Sequence, residues 1–161
     1  MTLNGVRSDI TPATPPRRVV VGYDGLAGSR AVLEHAADAA RADGVVFVVH
    51  AYARPHSWLG SPNSQEGLDA VLAAAESTIR DLRKQIGGPL DHVAWEPEII
   101  GGDPAKAIAS VAAARHADEI VVGSRRFGLA RALHGSVAHD LLRLADVPVT
   151  VIPCGPAAEA A

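Results

Sequence analysis

One cysteine, Cys154, excludes an intrachain disulfide, and nothing else in the chain recommends an oxidising compartment. No block of like charges is present: the formal net charge is −3 and the isoelectric point near 6.1. That balance lacks the basic footprint of a nucleic-acid-binding protein. No apolar run approaches the ~20 residues of a membrane span, and the first residues, MTLNGVRSDITPATPPRR, hold no signal-peptide core. A soluble, cytoplasmic protein with neither nucleic-acid nor membrane partners is expected. Familiar nucleotide signatures are missing as well. There is no G-x-x-x-x-G-K-[ST], no G-x-G-x-x-G after the first strand, and no acidic cluster with a strand-terminal lysine of the phosphoacceptor kind.

What is present is ordinary for one globular domain: 161 residues, 48% hydrophobic and 20% charged. Residues 1–16 are polar, with Pro12, Pro15 and Pro16 clustered, and read as a loose tail; residues 155–161 read likewise. Residues 17–154 are expected to form the domain. Strand and helix patterns alternate through it. Strands are predicted over Arg18–Tyr23, Val45–Ala51, His92–Ile100, Glu119–Gly123 and Val147–Pro153, and helices over Ser29–Arg41, Gln65–Ile86, Pro104 to about Arg115, and Ser136–Ala145. The first two strands are continuous runs of Val and Phe, which implies burial on both faces of a parallel sheet.

Pro97 and Pro148 mark the third and fifth strands as edges, because proline cannot donate to a ladder. The second strand, VVFVVHA, is too apolar for an edge. An α/β, doubly wound, five-stranded parallel sheet in the order 3-2-1-4-5 with four helices satisfies both conditions, a Rossmann-like sandwich. In that order the chain reverses direction between the first and fourth strands, and ligands bind at the carboxyl ends of such strands.

The residues expected there are Gly22, Tyr23 and Asp24 after the first strand, and Gly123, Ser124, Arg125 and Arg126 after the fourth. A second glycine, Gly135, precedes Ser136 and Val137 at a helix start, whose unpaired N–H groups suit an anion. Gly123 is expected to let backbone approach a ligand closely. Asp24 has two readings: a holder of Mg²⁺ or a ribose hydroxyl, or a cap on a glycine-flanked turn. Arg125 and Arg126 either pair with phosphate oxygens or are plain solvent-exposed arginines. Ser136 either caps its helix or also donates to a phosphate. The seven histidines show no metal-ligand spacing: His134 and His139 straddle a loop–helix junction and His50 stands alone in its strand. Cys154 has no base partner in sequence, so it reads as a small apolar residue or a free thiol. Arg54–Ser64, with Trp58, reads as a surface loop or a lid.

Several of these motifs together resemble the universal stress protein family, over nearly the whole length from Arg18 to Pro153. They are Val20-Val21-Gly22-Tyr23-Asp24-Gly25, the His50-Ala51 strand end, Gly102-Asp103-Pro104, and Gly123-Ser124-Arg125-Arg126 with Gly135-Ser136-Val137. The ATP-binding branch of that family has a glycine, two residues, a second glycine, about nine residues, then glycine followed by Ser or Thr. Here Arg126 replaces the second glycine, eight residues separate it from Gly135, and Leu26 stands where a serine is common. The resemblance implies an adenine nucleotide with Asp24 near ribose and Mg²⁺, and the Ala51 backbone against the adenine edge. It also implies Gly123 and Arg126 along the phosphates, closed over by Gly135, Ser136 and Val137, and a homodimer through the last strand, Val147 to Ile152.

Three functions follow as expectations. The first is a cytoplasmic stress-response protein that binds ATP with Mg²⁺ as a regulatory ligand, with weak hydrolysis at most. The second is a nucleotide-free stress protein acting through protein contacts, and the third a nucleotidyl or phosphoryl transferase on the same fold.

Overall fold

The computed structural model describes residues 15–26, 28–52, 65–125 and 137–154. Among them five strands alternate with four helices. The order is β1 (Arg18–Gly22), α1 (Ser29–Ala40), β2 (Val45–Tyr52), α2 (Gln65–Ile86), β3 (Ala94–Gly101), α3 (Pro104–Ala114), β4 (Glu119–Arg125), α4 (Val137–Leu144) and β5 (Val149–Cys154). The strands form one sheet in the order β3-β2-β1-β4-β5, every pair parallel, as the sequence predicts.

Val19, Val20 and Val21 are fully buried, so consecutive β1 side chains are covered on both faces. Val19, Val21, Val46 and Val48 face α1 and α2, where Val32, Leu33, Ala36 and Ile86 meet them. Val20, Phe47, Val49 and Val122 face α3 and α4, against Ile108, Val111 and Leu141. Each buried valine of this kind contributes about 1.5–3 kcal/mol. α3 owes its start to Asp103, whose Oδ1 accepts the Lys106 N–H at 2.9 Å ahead of Pro104 at the first turn.

Both edges carry proline without losing a ladder bond. The Gly102 N–H donates to the Tyr52 carbonyl at 2.9 Å, so even-numbered β3 positions bond β2 and Pro97 looks outward. On the other edge the Ile120 N–H donates to the Pro148 carbonyl at 2.9 Å, which turns Val149, Val151 and Pro153 outward. The third strand begins at Ala94 rather than His92, because Leu90–Val93 close a turn through a 3.3 Å bond. The last begins at Val149 rather than Val147 and continues to Cys154, while β4 runs two residues past Gly123.

At the end of α3, Arg115 ties the β3 edge down. Its Nε donates to Glu98 Oε1 at 2.9 Å, Glu96 lies 3.5 Å away, and its guanidinium sits 4.9 Å over the Phe47 ring. At the opposite end of the sheet β1 leads into α1 on one face, whereas α4, after β4, packs on the other. That reversal sets the topological switch point, and the crevice a doubly wound sheet forms there, between the carboxyl ends of β1 and β4.

Candidate functional site

β1 reaches the crevice with one last bond to β2, from the Tyr23 N–H to the Val49 carbonyl at 2.9 Å. The Val45 N–H donates to Arg17 at 2.9 Å, so odd-numbered β2 positions face β1, and Tyr52 already bonds toward β3. Ala51 is odd. Its N–H and C=O therefore project to the β1 side, beyond the register position where Gly22 pairs with Val49 and β1 ends. One donor and one acceptor lie side by side there, the pattern that the edge of a purine base requires. The Tyr23 carbonyl, next in line, lies 3.2 Å from Nδ1 of His50.

Asp24 follows at the mouth of the crevice, exposed to solvent. Its Oδ1 accepts the Leu26 N–H at 2.9 Å and the Ser29 hydroxyl at 2.6 Å. Ser29, 7% exposed, is the buried polar side chain of α1, and its N–H closes the turn on the Leu26 carbonyl at 2.9 Å. Gly25 holds φ +77°, which an L side chain rarely adopts. The turn role of Asp24 is thus present in full, and it fixes where the carboxylate stands. Burial of the Tyr23 phenol, with the Asp24 charge adding to it, raises the tyrosine pKa above 10.0.

No group of three or more His, Cys, Asp or Glu side chains able to hold a metal occurs among the described residues. A lone carboxylate suits Mg²⁺ that arrives on phosphate oxygens, since that ion keeps waters and takes one or two protein carboxylates. Asp24, exposed at the end of β1, fits that role.

A side chain at either strand-end glycine would meet protein atoms. A Cβ on Gly22 would meet Ile108 Cδ1 at 2.7 Å, so this glycine lets α3 close on the sheet. A Cβ on Gly123 would meet Cys154 Sγ at 2.7 Å and Val32 Cγ2 at 3.2 Å. Cys154 and α1 thus pack closely on the Gly123 backbone. The Cys154 thiol also donates to the Gly28 carbonyl at 3.4 Å and packs half-buried against the α1 side of the core.

Ser124 and Arg125 complete β4, pairing in register with Pro153 and Cys154, and Val137 opens α4. Gly22, Tyr23, Asp24, Ala51, Gly123 and Ser124 thus gather at one end of the sheet. Arg126, Gly135, Ser136 and the segment Arg54–Ser64 lie outside the described residues. Sequence reasoning passed over Ser29 and the contacts of His50 and Cys154. Only Ser29 left a local signal, as a hydroxyl five residues after Asp24 at a helix start.

Residues 16–153 match the Universal stress protein family. The chain belongs to that family. A universal stress protein of Thermus aquaticus, described by its place in the QAH/OAS sulfhydrylase 3′ region, is 30% identical over 138 residues, covering 84% of this chain and 98% of its own. A universal stress protein solved in complex with cAMP is 26% identical with a TM-score of 0.59, covering 88% of this chain and all (100%) of its own. The Archaeoglobus fulgidus universal stress protein in complex with dAMP is 25% identical with a TM-score of 0.54, covering 86% and 99%. These family members carry adenine nucleotides. A further structure, 18% identical with a TM-score of 0.67, shares the fold.

Proposed function

We propose that this chain is a cytoplasmic stress-response protein that binds an adenine nucleotide, ATP with Mg²⁺ in the first instance, as a regulatory ligand in the crevice between β1 and β4. The observation that carries this reading is the Ala51 backbone edge, a donor and an acceptor set beyond the end of β1. Asp24, held by its turn, stands on the ribose and metal side. The complexes of family members with cAMP and dAMP support the same ligand class. Arg125 and Arg126 on the β4 side, with Gly135, Ser136 and Val137, then line the phosphates. The hydroxyl that Asp24 holds, on Ser29, is buried at the start of α1, so in this reading ATP is a ligand with slow hydrolysis at most.

One observation favours a nucleotide-free protein that works through protein contacts. Gly123 is explained by the packing of Cys154 and Val32, without any ligand. The two readings separate cleanly. Freshly purified protein is denatured and assayed for released nucleotide, then titrated with Mg-ATP, AMP and cAMP by calorimetry. Ala51→Pro, which deletes the crevice-facing N–H while leaving every ladder bond in place, is expected to weaken binding about tenfold. No released nucleotide and no heat at millimolar concentrations of all three ends the nucleotide reading.

The second part of the proposal is a two-fold homodimer through β5. Val149 and Val151 turn outward on that edge, and Val151 remains 37% exposed. An unpaired apolar edge is a pairing template that a second copy covers.

A further inference from the structure

The β1–β2 ladder stops one step short of what its register allows. With the Tyr23 N–H on the Val49 carbonyl at 2.9 Å, the next bond in sequence would run from the Ala51 N–H to the Tyr23 carbonyl. Nδ1 of His50 lies 3.2 Å from that oxygen. A carbonyl only accepts, so Nδ1 carries the proton whether the ring is neutral or cationic. The Tyr23 peptide cannot swing to avoid the contact. Its side chain is 8% exposed within the α1–α2 core, and its N–H is fixed on β2. The two rings also pack against each other, 6.4 Å apart and inclined at 56°.

We infer that His50 is a positioning residue of the crevice: its Nδ1–H occupies the Tyr23 carbonyl, ends the ladder there, and leaves the Ala51 N–H and C=O to a ligand's base edge. The same bond holds the chain where it enters the Asp24 turn. This inference rests on the adenine-nucleotide reading for the identity of the ligand, but the ladder stop itself is a property of the ligand-free protein. An apolar residue at 50 would leave the Tyr23 carbonyl to the Ala51 N–H, and the strand would heal across the base site.

Two variants test it. His50→Asn carries an amide N–H on the γ carbon, near the place of Nδ1; His50→Leu carries no donor. In ligand-free wild type, nitrogen NMR of the imidazole should show the Nδ1–H form. Amide exchange at Ala51 should be fast in wild type and His50→Asn, and about tenfold slower in His50→Leu, as the N–H takes the freed carbonyl. Mg-ATP affinity should fall about tenfold in His50→Leu and stay within about threefold of wild type in His50→Asn. An Nε2–H imidazole in wild type, or unchanged Ala51 exchange in a folded His50→Leu, overturns the inference. If wild type binds no Mg-ATP, the nucleotide reading alone fails; the imidazole form and the Ala51 exchange rates still decide the role of His50.

Discussion

Gly123→Ala is the perturbation that best separates packing from ligand approach. The added methyl would lie 2.7 Å from Cys154 Sγ and 3.2 Å from Val32 Cγ2, both closer than ordinary van der Waals contact. Overpacking of this degree costs about 1–3 kcal/mol. Taking 2 kcal/mol as the centre, a chain of this size loses about 4–8 °C in Tm. Cys154→Ala alone removes a half-buried sulfur and its weak bond to the Gly28 carbonyl, and costs about 1 kcal/mol. The double variant has space for its new methyl where the sulfur was. Its total should stay near the cost of Cys154→Ala alone, leaving a coupling of about 1–2 kcal/mol between the two sites. Urea denaturation followed by far-ultraviolet circular dichroism, in reductant, measures all four corners of the cycle. If Gly123→Ala costs under about 0.5 kcal/mol, or the two changes add, then Cys154 does not demand this glycine. Any Mg-ATP affinity measured for wild type, as proposed above, should be kept by the double variant, because the methyl points at Cys154 and α1.

Asp24→Ala leaves the Leu26 N–H and the buried Ser29 hydroxyl without their acceptor, and should cost about 1–2 kcal/mol in chemical denaturation; a neutral result would mean the turn holds itself. The Tyr23 phenol, raised by burial and then by Asp24, stays protonated in the folded state at pH values where the unfolded chain ionises. Its contribution to stability is therefore whole below pH 10.0 and is lost as pH rises through the folded value. In a Tyr52→Phe background, phenolate absorbance at or below that ordinary value would contradict the burial argument. Val151→Lys on the outward edge of β5 should shift a dimer to monomer in size exclusion with light scattering, and wild type that is monomeric at micromolar concentration removes the dimer proposal.

Strand order was readable because a few residues are incompatible with alternatives. Pro97 and Pro148 point to edges, and Val45–Val49 demands cover on both faces, so of the two common doubly wound orders, 2-1-3-4-5 and 3-2-1-4-5, only the second satisfies them. The position of Asp24 at the end of β1 followed from that order, whereas Ala51 entered only through the family resemblance. What sequence could not supply were contacts across long separations. Cys154 meets Gly28 at a separation of 126 residues, and no local pattern announces it. The packing of Cys154 against Gly123 was hidden for the same cause: a glycine at a strand end looks alike whether or not a cysteine lies against it. His50 was weighed as a metal ligand and found isolated, whereas its partner is a backbone oxygen 27 residues earlier, a group present at every position.

The two sheet edges differ in what they permit. On β3, Pro97 faces outward with no N–H to offer, and the Arg115 guanidinium with Glu96 and Glu98 sets charge beside it. On β5, Val149 and Val151 face outward with their N–H and C=O groups, Pro153 after them with its C=O alone, and the edge carries no comparable charge among the described contacts. A chain with two open edges would add copies end to end and grow into a fibre; a chain with one can join only like to like, and the joining uses up the edge on both copies. Pro97 and Arg115 therefore act against growth from the β3 edge, so that copies joined through β5, as proposed above, would meet a poor template for any third.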